Sequence, residues 1–260
     1  MKKQIKVTRE DIVKHLNMLF AEVMMPDYSY NGLQFEGKKE VKKIVSGVDA
    51  NVEFFKEAAK RKADFALVHH GLFWKGGEWT KLDRINTAVV KTLVQADLNL
   101  YAMHLPLDAH PVFGNNVMLA KLIGSEVTAP FGAGKSGAVG CLCKLTKPMK
   151  IADFKKLVEK NIGKVMVHLD FGKPTVQNIA IVSGGGSSYL TANEIYNGEV
   201  DVLLTGEVLH QNVGTCRERE VHLVSAGHYN TEIWGVKELG KIVAEEFKLE
   251  YEFIDMPTGL

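Results

Sequence analysis

Three places in the sequence hold side chains with metal-ligand chemistry. The first is His69-His70-Gly71, directly after a predicted strand from Phe65 to Val68. In open α/β sheets, ligands gather beyond the carboxyl ends of strands. Neighbouring strand residues point to opposite sides of the pleat. Two adjacent histidines therefore suit two neighbouring metal ions better than one shared ion. A polar turn, or a core histidine with its hydrogen bonds satisfied, accounts for the same pair. The second place is His104-Leu105-Pro106-Leu107-Asp108-Ala109-His110, after a second buried strand. Its alternative is a solvated loop in which Asp108 caps the following helix. The third is Gly227-His228-Tyr229-Asn230-Thr231-Glu232, before the last long helix. His228 and Glu232 are four apart and share a helix face if the helix has begun. The alternative is an exposed histidine beside an acid favoured by the helix dipole.

Between them these strand ends offer imidazoles and carboxylates but no cysteine. That donor set suits Zn, Mn, Fe, Co or Ni without choosing among them. A pair of ions needs at least one shared carboxylate, because adjacent cations repel. Asp108 and His228 lie 120 positions apart. A common site therefore requires the last helix to return to the first lobe, with the intervening chain inserted.

The elements that must position these residues are legible as alternating apolar and amphipathic runs. Thr8-Arg9-Glu10-Asp11 opens the first helix as a near capping box. Strands are predicted at Lys43 to Val48, Phe65 to Val68 and Leu98 to Met103, with helices at Val52 to Lys62 and Arg84 to Ala96. A Gly-, Ala- and Pro-rich stretch from Gly124 to Gly140 is the best candidate for a domain boundary, and a second series follows. It has strands at Ala138 to Leu145, Val165 to Leu169, Ile179 to Val182, Val202 to Leu204 and Val221 to Ser225. Helices are predicted at Ile151 to Asn161, Ser187 to Tyr196, Val208 to Glu218 and Thr231 to Phe247, and a last strand at Tyr251 to Ile254. The fold class is α/β: two lobes of sheet flanked by helices. Residues 1–125 with about 226–260 form the lobe of the metal residues, and about 126–225 the inserted lobe.

Four other features need weighing. Gly132-Ala133-Gly134-Lys135-Ser136 imitates the end of a phosphate-binding loop, but the required upstream glycine is Ala129 and no buried strand precedes it. Cys141-Leu142-Cys143 lies within a strand and reads as buried small hydrophobes. Ser183-Gly184-Gly185-Gly186 and Thr205-Gly206-Glu207 each follow a strand. Each is open to two readings, an anion cradle or a tight turn.

Composition narrows the class. The chain has 260 residues, with 32 basic against 31 acidic side chains, a net charge of +1 that argues against a nucleic-acid groove. Three cysteines form no disulfide framework and point to a reducing, cytoplasmic setting. The basic start runs into no apolar segment, so no signal peptide is expected. No stretch approaches the ~18 apolar residues of a membrane span.

The motifs together resemble the NIF-three-like family of dinuclear metal-centre proteins, often labelled GTP cyclohydrolase I type 2 homologues. The matching segments are Asn31-Gly32-Leu33-Gln34, Val68-His69-His70-Gly71, His104 to His110, Ser183 to Gly186, Thr205-Gly206-Glu207 and Gly227-His228-x-x-Thr231-Glu232. They run in the family's order over nearly the whole chain, in the manner of its short bacterial branch. The resemblance implies two divalent ions. One would be held by His69 with His228, the other by His70 with Asp108, and Glu232 would bridge both. His104 and His110 match positions close to the site, as supporting or substrate-facing groups. Tyr229 stands where some relatives carry another histidine. Also implied are a hexamer of three dimers and a hydrolase acting on a nucleotide or purine-type ring through a metal-bridging water. A non-catalytic protein that stores, senses or delivers metal, or scaffolds an assembly, is the alternative.

Overall fold

The computed structural model describes residues 6–77, 81–134 and 137–260. Lys135 and Ser136 of the phosphate-loop mimic, and Met1 to Ile5 of the basic start, lie outside these residues. The chain divides into two units. The first comprises residues 1–107 and 236–256, the second residues 108–235 and 257–260.

In the first unit, α1 (Arg9–Phe20) starts at the predicted capping box, with both the Thr8 and Asp11 hydrogen bonds formed. Strand β1 (Gly32–Phe35) follows, then β2 (Lys43–Asp49), α2 (Val52–Lys60), β3 (Phe65–His70), α3 (Arg84–Ala96) and β4 (Asn99–Ala102). Asn51 caps α2 and Asp83 caps α3 through side-chain oxygens that accept backbone amides. The later part of α9 (His228–Phe247) and β11 (Glu250–Phe253) complete the unit. The sheet order is β1-β4-β3-β2-β11. Strands β11, β2, β3 and β4 run parallel, and β1 is antiparallel on the edge. Phe65 to Val68 are buried, as a strand covered on both faces requires. The histidines do not follow this strand but end it, since β3 runs through His70.

The short helix α4 (Leu105–Ala109) spans the division of the chain, and α5 (Asn115–Leu122) follows. The second unit continues with β5 (Ser125–Gly134), β6 (Gly137–Lys150), α6 (Ile151–Asn161), β7 (Val167–Leu169) and β8 (Thr175–Val182). A 3-10 turn (Gly186–Thr191), α7 (Asn193–Tyr196), β9 (Val202–Thr205), α8 (Asn212–Arg219) and β10 (His222–Ser225) complete it, with residues 228–235 of α9. Its sheet order is β5-β6-β8-β9-β10-β7, with β8, β9 and β10 parallel.

Several boundaries differ from the sequence reading. Ser125 to Gly134 and Gly137 to Gly140, in the stretch read as a domain boundary, form β5 and the start of β6, an antiparallel pair inside the second unit. Pro130 is tolerated there because β5 is an edge strand, with one side of its backbone unpaired. Asp108 is not the N-cap of the following helix: it lies within α4, and Gly114 is the N-cap of α5. The helix read from Ser187 to Tyr196 is a 3-10 turn followed by one turn of α-helix. Cys141 and Cys143 sit buried on one face of β6, as expected of small hydrophobes.

Candidate metal centre

The first unit gathers three imidazoles at the carboxyl ends of its central strands. A ring nitrogen of each of His69, His70 and His104 lies within 4.8 Å of the others. The ring centroids of His69 and His104 are 5.1 Å apart, and those of His70 and His104 5.6 Å. Each ring is fixed through Nδ1 by an oxygen. His69 Nδ1 is 3.0 Å from the Met103 carbonyl, just past β4. His70 Nδ1 is 2.7 Å from Asp49 Oδ1, at the end of β2. His104 Nδ1 is 2.8 Å from Asp27 Oδ1. A carbonyl or ionised carboxylate only accepts, so each Nδ1 carries the hydrogen, and in the neutral ring Nε2 carries the lone pair. Metal-binding histidines have this arrangement, in which the outer oxygen sets tautomer and orientation.

Asp27 organises the loop beneath His104. Its carboxylate accepts from His104 Nδ1, the amides of Ser29 and Leu105, and Asn31 Nδ2. Asn31 in turn accepts the His104 amide at 2.8 Å. Burial alone would raise the carboxyl's pKa. The His104 hydrogen bond and charge, with the Asn31 and Ser29 bonds, override it and hold the pKa at about 2. A depressed pKa means stabilisation that is complete above the ordinary 3.8 and is lost as pH falls through about 2. Asp27→Asn should remove an acid-sensitive contribution of about 2 kcal/mol. Urea unfolding at pH 5 and pH 2.5 checks this: the difference between wild type and variant should shrink at the lower pH.

The second unit gathers its acids at the carboxyl ends of β8, β9 and β10. Helix α9 begins at His228, three residues earlier than its apolar pattern suggests, so His228 and Glu232 occupy successive turns of one face. His228 Nε2 is 3.1 Å from Glu232 Oε2, and its Nδ1 is 2.6 Å from Glu207 Oε1, just after β9. Burial disfavours the imidazolium, but the two carboxylates outweigh it and lift the His228 pKa to about 9. A carboxylate oxygen of Asp108 lies within 4.8 Å of one of Glu232. Asp108 Oδ1 accepts from Ser183 Oγ and Asn115 Nδ2, each at 2.8 Å.

Both glycine-containing strand ends now have a local purpose. Ser183 holds Asp108. The amides of Gly206 and Glu207 donate to the Gly184 carbonyl at 2.9 and 3.0 Å, tying the two strand ends together. The Gly184 amide donates to Thr231 Oγ1 at 3.0 Å, which ties the β8 end to α9. Gly184 has φ +57°, and a Cβ there would lie 2.0 Å from Glu232 Oε1 and 2.9 Å from His228 Nε2. Only glycine leaves room for this acid–imidazole pair.

The residues suit a divalent ion. Asp108 and Glu232 are two acids 4 % and 3 % exposed, and like charges so close in a buried place repel. A cation relieves that cost. Imidazole Nε2 atoms and carboxylate oxygens are the donors that borderline transition ions prefer. His110 is placed differently. Its ring stacks on Phe113, with centroids 3.6 Å apart, and its Nδ1 accepts the Val112 amide at 3.3 Å. It therefore braces its own turn.

Two α/β units, each presenting imidazoles or acids at the carboxyl ends of parallel strands, define a protein with candidate metal-binding clusters. The chain belongs to the Duf34/NIF3 (NGG1p interacting factor 3) family, whose sequence model matches residues 7–259. It is similar to the Pseudomonas aeruginosa protein named GTP cyclohydrolase 1 type 2 homolog. The two are 39% identical over 247 residues, spanning 95% of this chain and 96% of the relative. The protein of the same name from Escherichia coli K12 is 37% identical over 94% of this chain and 96% of its own. Among solved structures, protein ybgI, described as of unknown function, superposes with a TM-score of 0.90 at 36% identity, covering 98% of this chain and all of that one. TTHA1606 from Thermus thermophilus gives 0.87 at 33% identity, with 98% and 100% covered. The family resemblance drawn from the motifs is thereby established, as is the α/β class.

Asp27, Asp49, Ser183 and Glu207 had no individual role in the sequence reading. Glu207 and Ser183 stand inside strand-end motifs that signalled them. Asp49 directly follows a predicted strand but looks like any strand-terminating acid, and Asp27 sits in a polar stretch with no periodic signal.

Proposed function

We propose that the chain is a hydrolase dependent on two divalent metal ions, acting on a nucleotide or purine-type ring. His69, His70, Asp108, His228 and Glu232 would hold the ions, with Glu232 shared. The carrying observation is that His69, His70 and His228 each anchor Nδ1 on an oxygen, the outer-shell arrangement of metal ligands. Bound there, divalent ions supply Lewis-acid polarisation and water activation. The protein's own part is to orient. The Met103 carbonyl and Asp49 fix the first two rings, Glu207 fixes His228, and Ser183 with Asn115 fixes Asp108. His104, with its tautomer set by Asp27, is the group placed to accept or return a proton at Nε2. His110 is the less suited of the two, since its Nδ1 is engaged in its own turn.

A cleft of about 680 Å³ in the first unit supports a ring substrate. Gly71, Leu72, Trp74, Val89 and Met256 line it, adjoining the His70 end of β3. The Trp74 indole is held by its Nε1 hydrogen bond to the Gly71 carbonyl at 2.8 Å, so a flat apolar wall is pre-set for stacking. A hexamer of three dimers and a cytoplasmic setting belong to the same proposal. No helix among the described residues is long and apolar enough to cross a membrane.

The test is elemental analysis after loading with Mn, Zn, Fe or Co, followed by a screen against nucleotides and cyclic amides with Glu232→Ala as control. About two ions per chain, and turnover absent from the control, support the hydrolase. Full occupancy with no turnover of any substrate leaves the metal-binding or scaffold alternative. Less than one ion per chain refutes the hydrolase and any metal-handling role. Asp49→Asn and Glu207→Gln should each weaken metal binding by about 10–100-fold while leaving the fold intact. Competition against a chelating dye checks this; unchanged affinity would remove their orienting role.

A further inference from the structure

The second unit carries another histidine–acid cluster, which the proposed hydrolase does not use. Strand β7 pairs antiparallel with β10, with His168 opposite Val224. Opposed residues share a face, so His222, two before Val224, projects on the same face as His168. Asp170 follows β7 with the same parity as His168. The result is that one ring nitrogen from each histidine and a carboxylate oxygen of Asp170 lie within 4.8 Å of one another. His222 begins β10, while His228 lies beyond its other end. The two clusters are thus separated by the length of the strand, about 10 Å.

The hydrogen-bond pattern makes the cluster unusual. His222 Nε2 is 2.7 Å from the Lys173 carbonyl, which only accepts, so Nε2 carries a hydrogen. Nδ1 of the neutral ring then presents its lone pair. That lone pair accepts the Gly172 amide at 3.4 Å and also lies 3.2 Å from Asp170 Oδ1. Two electron-rich atoms therefore confront each other. His168 Nε2 is buried with no hydrogen-bond partner among the described residues and lies 4.0 Å from the same Oδ1. The side chains of His168 and His222 are 11% and 1% exposed, whereas that of Asp170 is 66% exposed. The cluster thus has a rigid imidazole floor and an adjustable carboxylate lid.

We propose that His168 Nε2, His222 Nδ1 and an Asp170 oxygen form a second, mononuclear site for a borderline divalent ion such as Zn²⁺. One ion would satisfy the buried His168 nitrogen and turn the facing lone pairs of His222 and Asp170 into ligands. Imidazole with carboxylate suits Zn, Ni and Cu, and the Lys173 carbonyl is the outer-shell anchor of His222. Three protein ligands leave a position for water. The Lys155 ammonium acts on His168 against a cation, which weakens the site.

Equilibrium dialysis against Zn²⁺ with elemental analysis, on the full chain, tests the proposal. Asp170→Asn and His168→Gln should each bind one equivalent fewer than wild type, or bind the weakest equivalent at least tenfold less tightly. The remaining equivalents should be unaffected. Asp170 is exposed, so its variant keeps the test valid if His168→Gln fails to fold. Diffraction at the zinc edge should place anomalous density between the two imidazoles. Identical zinc stoichiometry and affinity in wild type and both variants would overturn the site. So would a zinc-soaked crystal with no density there, leaving Asp170 in a plain ion pair with a protonated His222.

Discussion

Replacing Glu232 by glutamine is expected to release both ions of the proposed centre, lowering metal affinity by more than about 100-fold. Removal of an outer-shell partner alone costs 10–100-fold, and in the proposed centre Glu232 would be a direct ligand of two ions. It is buried, one turn beyond His228 on α9, with His228 Nε2 at 3.1 Å and an Asp108 oxygen within 4.8 Å. Glutamine keeps the shape but loses the charge that would offset two cations. Far-UV circular dichroism should therefore match wild type, while elemental analysis after loading should fall from about two ions per chain to well below one. Loss of a single ion would mean that Glu232 serves one metal and that another acid bridges. Unchanged occupancy would remove it from the centre.

The second large effect is expected at Gly184. Alanine there meets two obstacles at once. Its φ of +57° costs about 1–2 kcal/mol for a residue with a Cβ. The added carbon would also lie 2.0 Å from Glu232 Oε1 and 2.9 Å from His228 Nε2. Relieving such overlap costs a further ~1–3 kcal/mol and displaces the acid. Gly184→Ala should thus lose stability and metal affinity together. Gly185 supplies the control. Its φ is −75°, and a Cβ there would meet only Glu207 Oε2 at 3.9 Å. Gly185→Ala should stay within about 0.5 kcal/mol of wild type. Chemical unfolding of the two variants, with and without metal, compares them. Equal behaviour would make Ser183 to Gly186 an ordinary turn.

The contrast between neighbouring glycines shows what the sequence carried. Buried apolar runs such as Phe65 to Val68 located the strands, and chemistry-bearing residues at their carboxyl ends located the candidate ligands. Periodicity reports such elements because burial on both faces, or on one, is imposed locally. It could not show that Gly184 faces an acid 48 positions onward while Gly185 faces almost nothing. Nor could it pair His70 with Asp49, His104 with Asp27, or His228 with Glu207, since those partners are brought together by strand register and loop placement. The segment from Gly124 to Gly140 misled for a different reason. Glycine and proline usually punctuate structure, but an edge strand accepts both. The start of α9 was placed late because Tyr229 and Asn230 interrupt its apolar pattern, although Gly227, with φ +91°, marks the true break before His228.

In the proposed centre, His69, His70, Asp108, His228 and Glu232 hold a pair of divalent ions. Anomalous difference maps from crystals loaded with Zn²⁺ or Mn²⁺ test it most directly. Two peaks are predicted, one against His69 and His228, the other against His70 and Asp108, both in contact with Glu232. A single peak, or ions that touch the histidines but leave Glu232 without metal, would contradict it.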